Sequence, residues 1–173
     1  MIEPSILVLT TGGTIDKVYF DALSDFQVGH SVVEELLKEA HVTAPYDIIE
    51  VLRKDSLELT DADRALIHDT IEQHRQTRIV ITHGTDTMTD TARRLADFTQ
   101  AVDQRVNPSR TIVLTGALSP ARFARTDAAF NVGMAFAAVQ SLSSGVYIVM
   151  NGQVFDALKV RKDRENNRFV VEP

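Results

Sequence analysis

The chain has 173 residues, 44% hydrophobic and 24% charged, with a net charge of −6 and no cysteine. That is enough for one domain with a substantial core; the acidic balance and the lack of a basic stretch argue against nucleic acid or an anionic membrane as the main partner. Without cysteine there are no disulfides, thiolate metal sites or cysteine nucleophiles. Met1-Ile2-Glu3-Pro4 lacks a basic signal region, and no segment approaches the roughly 20 apolar residues of a membrane span, so a soluble cytoplasmic protein is expected.

Ile6 to Thr11 reads as a buried strand that opens into Gly12-Gly13-Thr14. The glycines make a tight turn that a ligand can approach closely. They complete neither a G-x-G-x-x-G fingerprint nor a Walker loop. Thr14 offers a hydroxyl that serves either chemistry or backbone capping. Residues 16–29 read as a polar loop with no element of its own, of the length of a lid or binding loop. Within it Tyr19, five positions past Thr14, either folds back onto Thr14 or packs the loop onto the body.

Ser31-Val32-Val33-Glu34 resembles a capping box, followed by a helix with Val33, Leu36, Leu37 and Ala40 as its stripe. Tyr46 to Leu52 is the second strand, and Arg53-Lys54-Asp55-Ser56 is the turn after it. Ser56 can hold a ligand group, although the segment alone favours a solvated turn. Leu59 to Asp63 starts the next helix, with Ala65, Leu66, Ile67, Thr70 and Ile71 inward and His68 and His74 solvated.

Arg78 to Thr82 is the third strand. It runs into His83-Gly84-Thr85-Asp86-Thr87-Met88, ahead of a helix over Thr89 to Gln100 with Ala92, Leu95, Ala96 and Phe98 on one face. In open parallel sheets ligands bind outside the carboxyl ends of strands, and N–H groups at the following helix start favour anions. A Thr beside an Asp there offers a hydroxyl and a carboxylate; helix capping accounts for them equally well. The first strand breaks the tie, because two strand–turn segments ending in Gly and Thr place both turns at one sheet edge.

Arg105 to Arg110 reads as a surface turn. Thr111 to Thr115 is the fourth strand, ending in Gly116-Ala117. A polar connection from Ser119 to Asp127 leads to a helix over Ala128 to Leu142. Its Ala129, Gly133, Ala137 and Ala138 permit close approach to the sheet or to another subunit. Val146 to Met150 is the fifth strand, with Asn151-Gly152 as a hairpin turn and Gln153 to Phe155 as the return arm. The tail from Asp156 is highly charged, with Phe169 to Val171 as a last edge strand. Strand and helix alternate, which predicts an α/β fold with a mainly parallel sheet and helices on both faces.

Thr11-Gly12-Gly13-Thr14-Ile15 and His83-Gly84-Thr85-Asp86-Thr87-Met88 together resemble the paired signatures of bacterial-type L-asparaginases. Asp55-Ser56, Gly116-Ala117, Asp127 to Asn131, and Met150-Asn151 followed by Val154, Asp156 and Lys162 match as well. The resemblance spans residues 1–173 as a single three-layer, Rossmann- or flavodoxin-like domain. It corresponds to the larger N-terminal domain of the family, without the smaller C-terminal one.

The resemblance implies hydrolysis of L-asparagine to aspartate and ammonia through a threonine acyl-enzyme, with no metal or organic cofactor. It implies Thr14 as nucleophile and Tyr19 as the tyrosine that activates it. Thr85, Asp86 and Lys162 form the second triad; Gly13, Asp55, Ser56, Gly84, Thr85 and Asp86 line the substrate. Lys159, one turn away, is the alternative to Lys162. A Lys can take a hydroxyl proton only where its surroundings favour the amine, so it should stand beside Thr85 and Asp86 rather than in solvent. A dimer or tetramer is expected. Asparagine and glutamine differ by one methylene, worth about 1–3 kcal/mol of discrimination, so glutaminase activity is an alternative. The amidotransferase-type amidase subunit and a non-catalytic amino-acid sensor are the others.

Overall fold

A computed structural model describes residues 5–101 and 109–172. The long apolar runs become a parallel sheet buried on both faces, the environment in which strands read as near-continuous hydrophobic sequence. Its strands are β1 (Ile6–Gly12), β4 (Tyr46–Lys54), β5 (Arg78–Thr82), β6 (Thr111–Thr115), β7 (Gly145–Met150) and β8 (Gln153–Asp156). They lie in the order β4-β1-β5-β6-β7-β8, all parallel except the antiparallel edge strand β8.

Alternation along each strand divides the core in two. Leu7, Leu9, Ile79, Ile81, Ile112 and Leu114 face helices α2 (Asp61–Glu72) and α3 (Met88–Ala101). Ile6, Val8, Val80 and Val113 face helices α1 (Val33–Glu39) and α4 (Ala128–Ser141). The three-layer α/β architecture is therefore as the sequence predicts. Counted without β8, the strand order is second, first, third, fourth, fifth, the flavodoxin-like arrangement. Its switch point falls between β1 and β5. Among the described residues no helix is long and apolar enough to cross a membrane.

Several expectations are corrected. Residues 17–28 are not an irregular loop but an antiparallel hairpin of β2 (Lys17–Phe20) and β3 (Asp25–Val28). Its exposed side chains gave no apolar–polar alternation to read. Two more strands, β9 (Val160–Asp163) and β10 (Arg168–Val171), pair with each other, so Phe169 to Val171 does not extend the main sheet. On α2, Leu66 points to solvent, and His68 is not simply solvated but stacks on Phe98 with centroids 4.1 Å apart. On α4, only Ala138 of the four small residues faces the sheet; Ala129, Gly133 and Ala137 are exposed. Arg110 is buried, and the rest of the expected surface turn, up to Pro108, lies outside the described residues, as does Met1 to Pro4.

The capping box belongs to α2, where Thr60 Oγ1 accepts from the Asp63 N–H and Asp63 accepts from the Thr60 N–H. At α1 the work is done from a distance. Ser31 Oγ accepts from the Val33 N–H, and Asp16 Oδ1 accepts from the Val32 N–H at 3.0 Å. Asp16 O accepts from the Gly29 N–H, so this one residue closes the base of the β2–β3 hairpin and caps the next helix.

Burial pushes the Asp16 carboxyl up from 3.8 to about 6, aided by Glu50 and opposed by the hydrogen bonds from Val32 and Ser31 and by Arg122. Between those values the folded chain binds more protons at this site than the unfolded chain does. Its contribution to stability therefore falls as pH rises from about 4 to about 6. Asp16→Asn keeps an acceptor for Val32 but removes this titration. In denaturant titrations the stability of Asp16→Asn relative to wild type is expected to rise between pH 4 and pH 7. His83, which burial holds neutral down to about 4, slopes the opposite way in both proteins and cancels in the comparison.

Candidate active site

Three turns meet at the carboxyl end of the sheet because glycines let their backbones touch. Gly12 and Gly13 have φ of 94° and 87°, where a side chain is strained. The Gly13 N–H donates to Lys54 O at 3.0 Å, tying the turn after β1 to the end of β4. A Cβ on Gly13 would overlap the Gly84 N and Cα atoms, and one on Gly84 would stand 2.6 Å from Ser56 Cβ and Oγ. The turns after β1, β4 and β5 are thus in direct contact, which brings Thr14, Asp55-Ser56 and Thr85-Asp86 to one place. Thr87 Oγ1 locks two of them by donating to Ser56 O at 2.7 Å.

Lys162 reaches this place from β9. Its Nζ donates to Thr85 Oγ1 and to Asp86 Oδ1, each at 2.8 Å, with the lysine side chain only 8% exposed. Side chains two apart on a strand share a face, so Val160 and Lys162 both point inward. Val160 and Phe169 bury fully against α3 and the sheet, each worth about 1.5–3 kcal/mol. Arg93 on α3 fastens the hairpin by donating to Val160 O and Glu172 Oε1, and Asn151 Oδ1 accepts from the Phe169 N–H. Lys159 is exposed on the connection before β9, so the geometry separates the two candidate lysines.

His83 is wholly buried behind the turn. Its Nδ1 lies 2.7 Å from Gly84 O and its Nε2 2.8 Å from Thr91 Oγ1. Burial lowers its pKa to about 4, against the pull of its hydrogen bond to Gly84, so the ring is neutral at physiological pH. After β6, the Asp127 carboxylate accepts from the Leu118 and Ser119 N–H groups and from Asn131 Nδ2, which also donates to Gly116 O. That network holds the Gly116–Ser119 connection on the same edge of the sheet.

Tyr19 is not brought in. It is 54% exposed on β2, edge-on to Phe26 at 5.4 Å, and makes no hydrogen bond to Thr14. The base of its hairpin does reach the site, through an ion pair at 2.7 Å between Lys17 Nζ and Asp55 Oδ2. Burial works against the Asp55 carboxylate, yet the hydrogen bonds from Lys17, Leu57 and Ser56 hold its pKa below the usual value. Lys17, Thr87, Thr91 and the capping role of Asp16 escaped the sequence reading. Only Thr87 stood within a motif that pointed to them. A separate cavity of about 300 Å³, at the opposite end of the sheet between α3 and the starts of β6 and β7, shares none of the site's residues.

A family model described as "Asparaginase, N-terminal" matches residues 5–171. The chain belongs to the asparaginase family. This asparaginase-family chain is 31% identical over 173 residues to L-asparaginase 2 of Escherichia coli (strain K12), covering 92% of itself and 46% of that protein. It is 28% identical over 170 residues to the glutaminase-asparaginase of Acinetobacter glutaminasificans, covering 91% and 49%. The thermostable L-asparaginase from Thermococcus kodakarensis superposes with a TM-score of 0.81 at 26% identity, covering 96% of this chain and 51% of that one. The chain spans about half the length of these relatives.

The contact between turns predicts that Gly13→Ala combines a left-handed backbone with a steric overlap. Roughly 2–4 kcal/mol of stability should be lost, read as a lower midpoint in urea titration.

Proposed function

We propose that this chain is an amidohydrolase that converts L-asparagine to L-aspartate and ammonia through a threonine acyl-enzyme. The observation that carries the reading is the buried Lys162 Nζ between Thr85 Oγ1 and Asp86 Oδ1, on the turn whose Gly84 meets Gly13, the residue before Thr14. A site that only binds an amino acid has no need of two threonine hydroxyls and a lysine held on one of them.

In this reading Thr14 Oγ attacks the side-chain amide carbon, its proton passes to the leaving nitrogen, and ammonia departs. Water then cleaves the acyl-threonine ester, releasing aspartate and restoring Thr14. Tyr19 assists by taking the Thr14 proton, which requires the β2–β3 hairpin to swing its exposed ring inward. The second triad of Thr85, Asp86 and Lys162 relays protons to and from the attacking and leaving groups. Asp86 receives the substrate ammonium, and Asp55-Ser56 with the Gly13 and Gly84 backbones receives its α-groups. Residues 1–173 act as one N-terminal-type domain, in the cytoplasm, without a metal or organic cofactor.

The test is ammonia release from L-asparagine and L-glutamine. Wild type is expected to act on asparagine. Thr14→Ala, Thr85→Val and Lys162→Met should each lower kcat by a factor of about a hundred or more, and Tyr19→Phe by less. Lys159→Met should retain activity. A faster reaction on glutamine makes it a glutaminase. No ammonia from either amide, with asparagine binding in calorimetry, makes it a sensor.

The same reading includes a homo-oligomer, a dimer or tetramer. Residues 128–141 carry no charged side chain, and Phe130, Gly133 and Ala137 form an exposed apolar face. A Cβ on Gly133 would meet nothing within 4 Å, so Gly133→Arg leaves the chain's own packing intact. Light scattering is expected to give a multiple of the chain mass for wild type and the single-chain mass for Gly133→Arg. A single-chain mass for wild type removes the assembly from the proposal.

A further inference from the structure

The peptide between Gly84 and Thr85 is gripped from behind. Gly84 O can only accept, so His83 Nδ1, 2.7 Å away, carries the proton. In the neutral ring Nε2 is then an acceptor, and Thr91 Oγ1 at 2.8 Å donates to it. The Thr91 hydroxyl has spent its one proton, so it accepts from the Arg64 Nε–H at 3.2 Å. Arg64 is anchored in turn by Leu59 O at 3.3 Å and Asp61 Oδ1 at 3.4 Å. The donors run in one direction, Arg64 to Thr91 to His83 to Gly84, and every member is satisfied. His83 and Thr91 are both fully buried, so no water competes for the bonds of His83 to Thr91 and Gly84.

A trans peptide is planar, and its C=O and N–H point opposite ways. Drawing Gly84 O toward the imidazole therefore aims the Thr85 N–H away from it. That N–H has no hydrogen-bond acceptor among the described residues. We propose that His83 is a positioning residue: fixed as the Nδ1–H tautomer by Thr91 and Arg64, it turns the Thr85 N–H toward the substrate's amide oxygen as an oxyanion donor. The role rests on the amidohydrolase reading above. His83 neither touches substrate nor exchanges a proton with it.

Two substitutions separate aiming from packing. The Nδ2 of Asn lies near the position of His Nδ1 and can donate to Gly84 O, whereas Leu fills the space and cannot. Both remove the ring nitrogen that accepts from Thr91 Oγ1, so both are expected to lower thermal stability. Only His83→Leu is expected to lose kcat, by roughly tenfold to a hundredfold, because a misaimed oxyanion donor acts on the transition state. Its KM should change by less than about threefold. His83→Asn should recover most of the loss. Nitrogen-15 histidine spectra of wild type at pH 7 should show Nδ1 protonated and Nε2 bare, with the Nε2 resonance shifted in Thr91→Val. An Nε2–H tautomer, an unchanged kcat in His83→Leu, or equal losses in the Leu and Asn variants would overturn the proposal. The failures are distinguishable. A wild type that releases no ammonia overturns the amidohydrolase reading and takes the oxyanion role with it. An active wild type with an indifferent His83→Leu overturns the role of His83 alone.

Discussion

The backbone contact between Gly13 and Gly84 is the constraint on which the site depends. Parallel strands of a sheet stand about 4.8 Å apart, and the turns that follow them normally diverge under the bulk of their own side chains. Here the chain omits that bulk at the two positions that face each other across the switch point, and Ser56 closes on Gly84 from the third turn. Hydroxyls and carboxylates from turns 14, 55–56 and 85–86 are thereby gathered at one edge of the sheet. Any Cβ added there forces the turns apart before it touches the chemistry.

The arrangement is polar in the directional sense. Behind the turn lie the buried Arg64–Thr91–His83 hydrogen bonds, which use up the Gly84 carbonyl. In front lie Lys162 Nζ and the Thr85 N–H, which has no acceptor among the described residues. The two sides come from different parts of the chain: the rear from α2 and α3, the front from the β9–β10 hairpin. One supplies fixed orientation in a dry interior, the other supplies charge at a half-open surface, where Asp86 remains partly exposed.

The sheet was legible because most of its parallel strands are apolar runs bounded by Gly and polar turns; the two signatures were legible because they sit at strand ends. Lys162 was readable by its place in the family pattern. Its preference over Lys159 became physical only with β9, where Val160 and Lys162 share a face. What stayed hidden depends on pairing rather than period. The β2–β3 hairpin buries too little to show alternation, and Tyr19 and Phe26 pack on each other in the open. The distant cap from Asp16 to Val32 spans 16 residues, beyond any local capping signature. The inward and outward faces of α4 could not be told apart, because a helix apolar all round carries no stripe.

The lysine contacts have one more consequence, for the order in which the molecule assembles. Lys162 meets Thr85 and Asp86 across 77 and 76 residues, from a two-stranded ribbon that shares no backbone ladder with the main sheet. Contacts that close such long spans form after the local ones that support them. The ribbon is also attached by few anchors, chiefly Val160, Phe169 and the Arg93 bonds, so it can open at less cost than the sheet can unfold. The chain can therefore keep its helices and its sheet while the lysine is away. Separation of Lys162 from Thr85 and Asp86 is then an opening that precedes unfolding of the sheet.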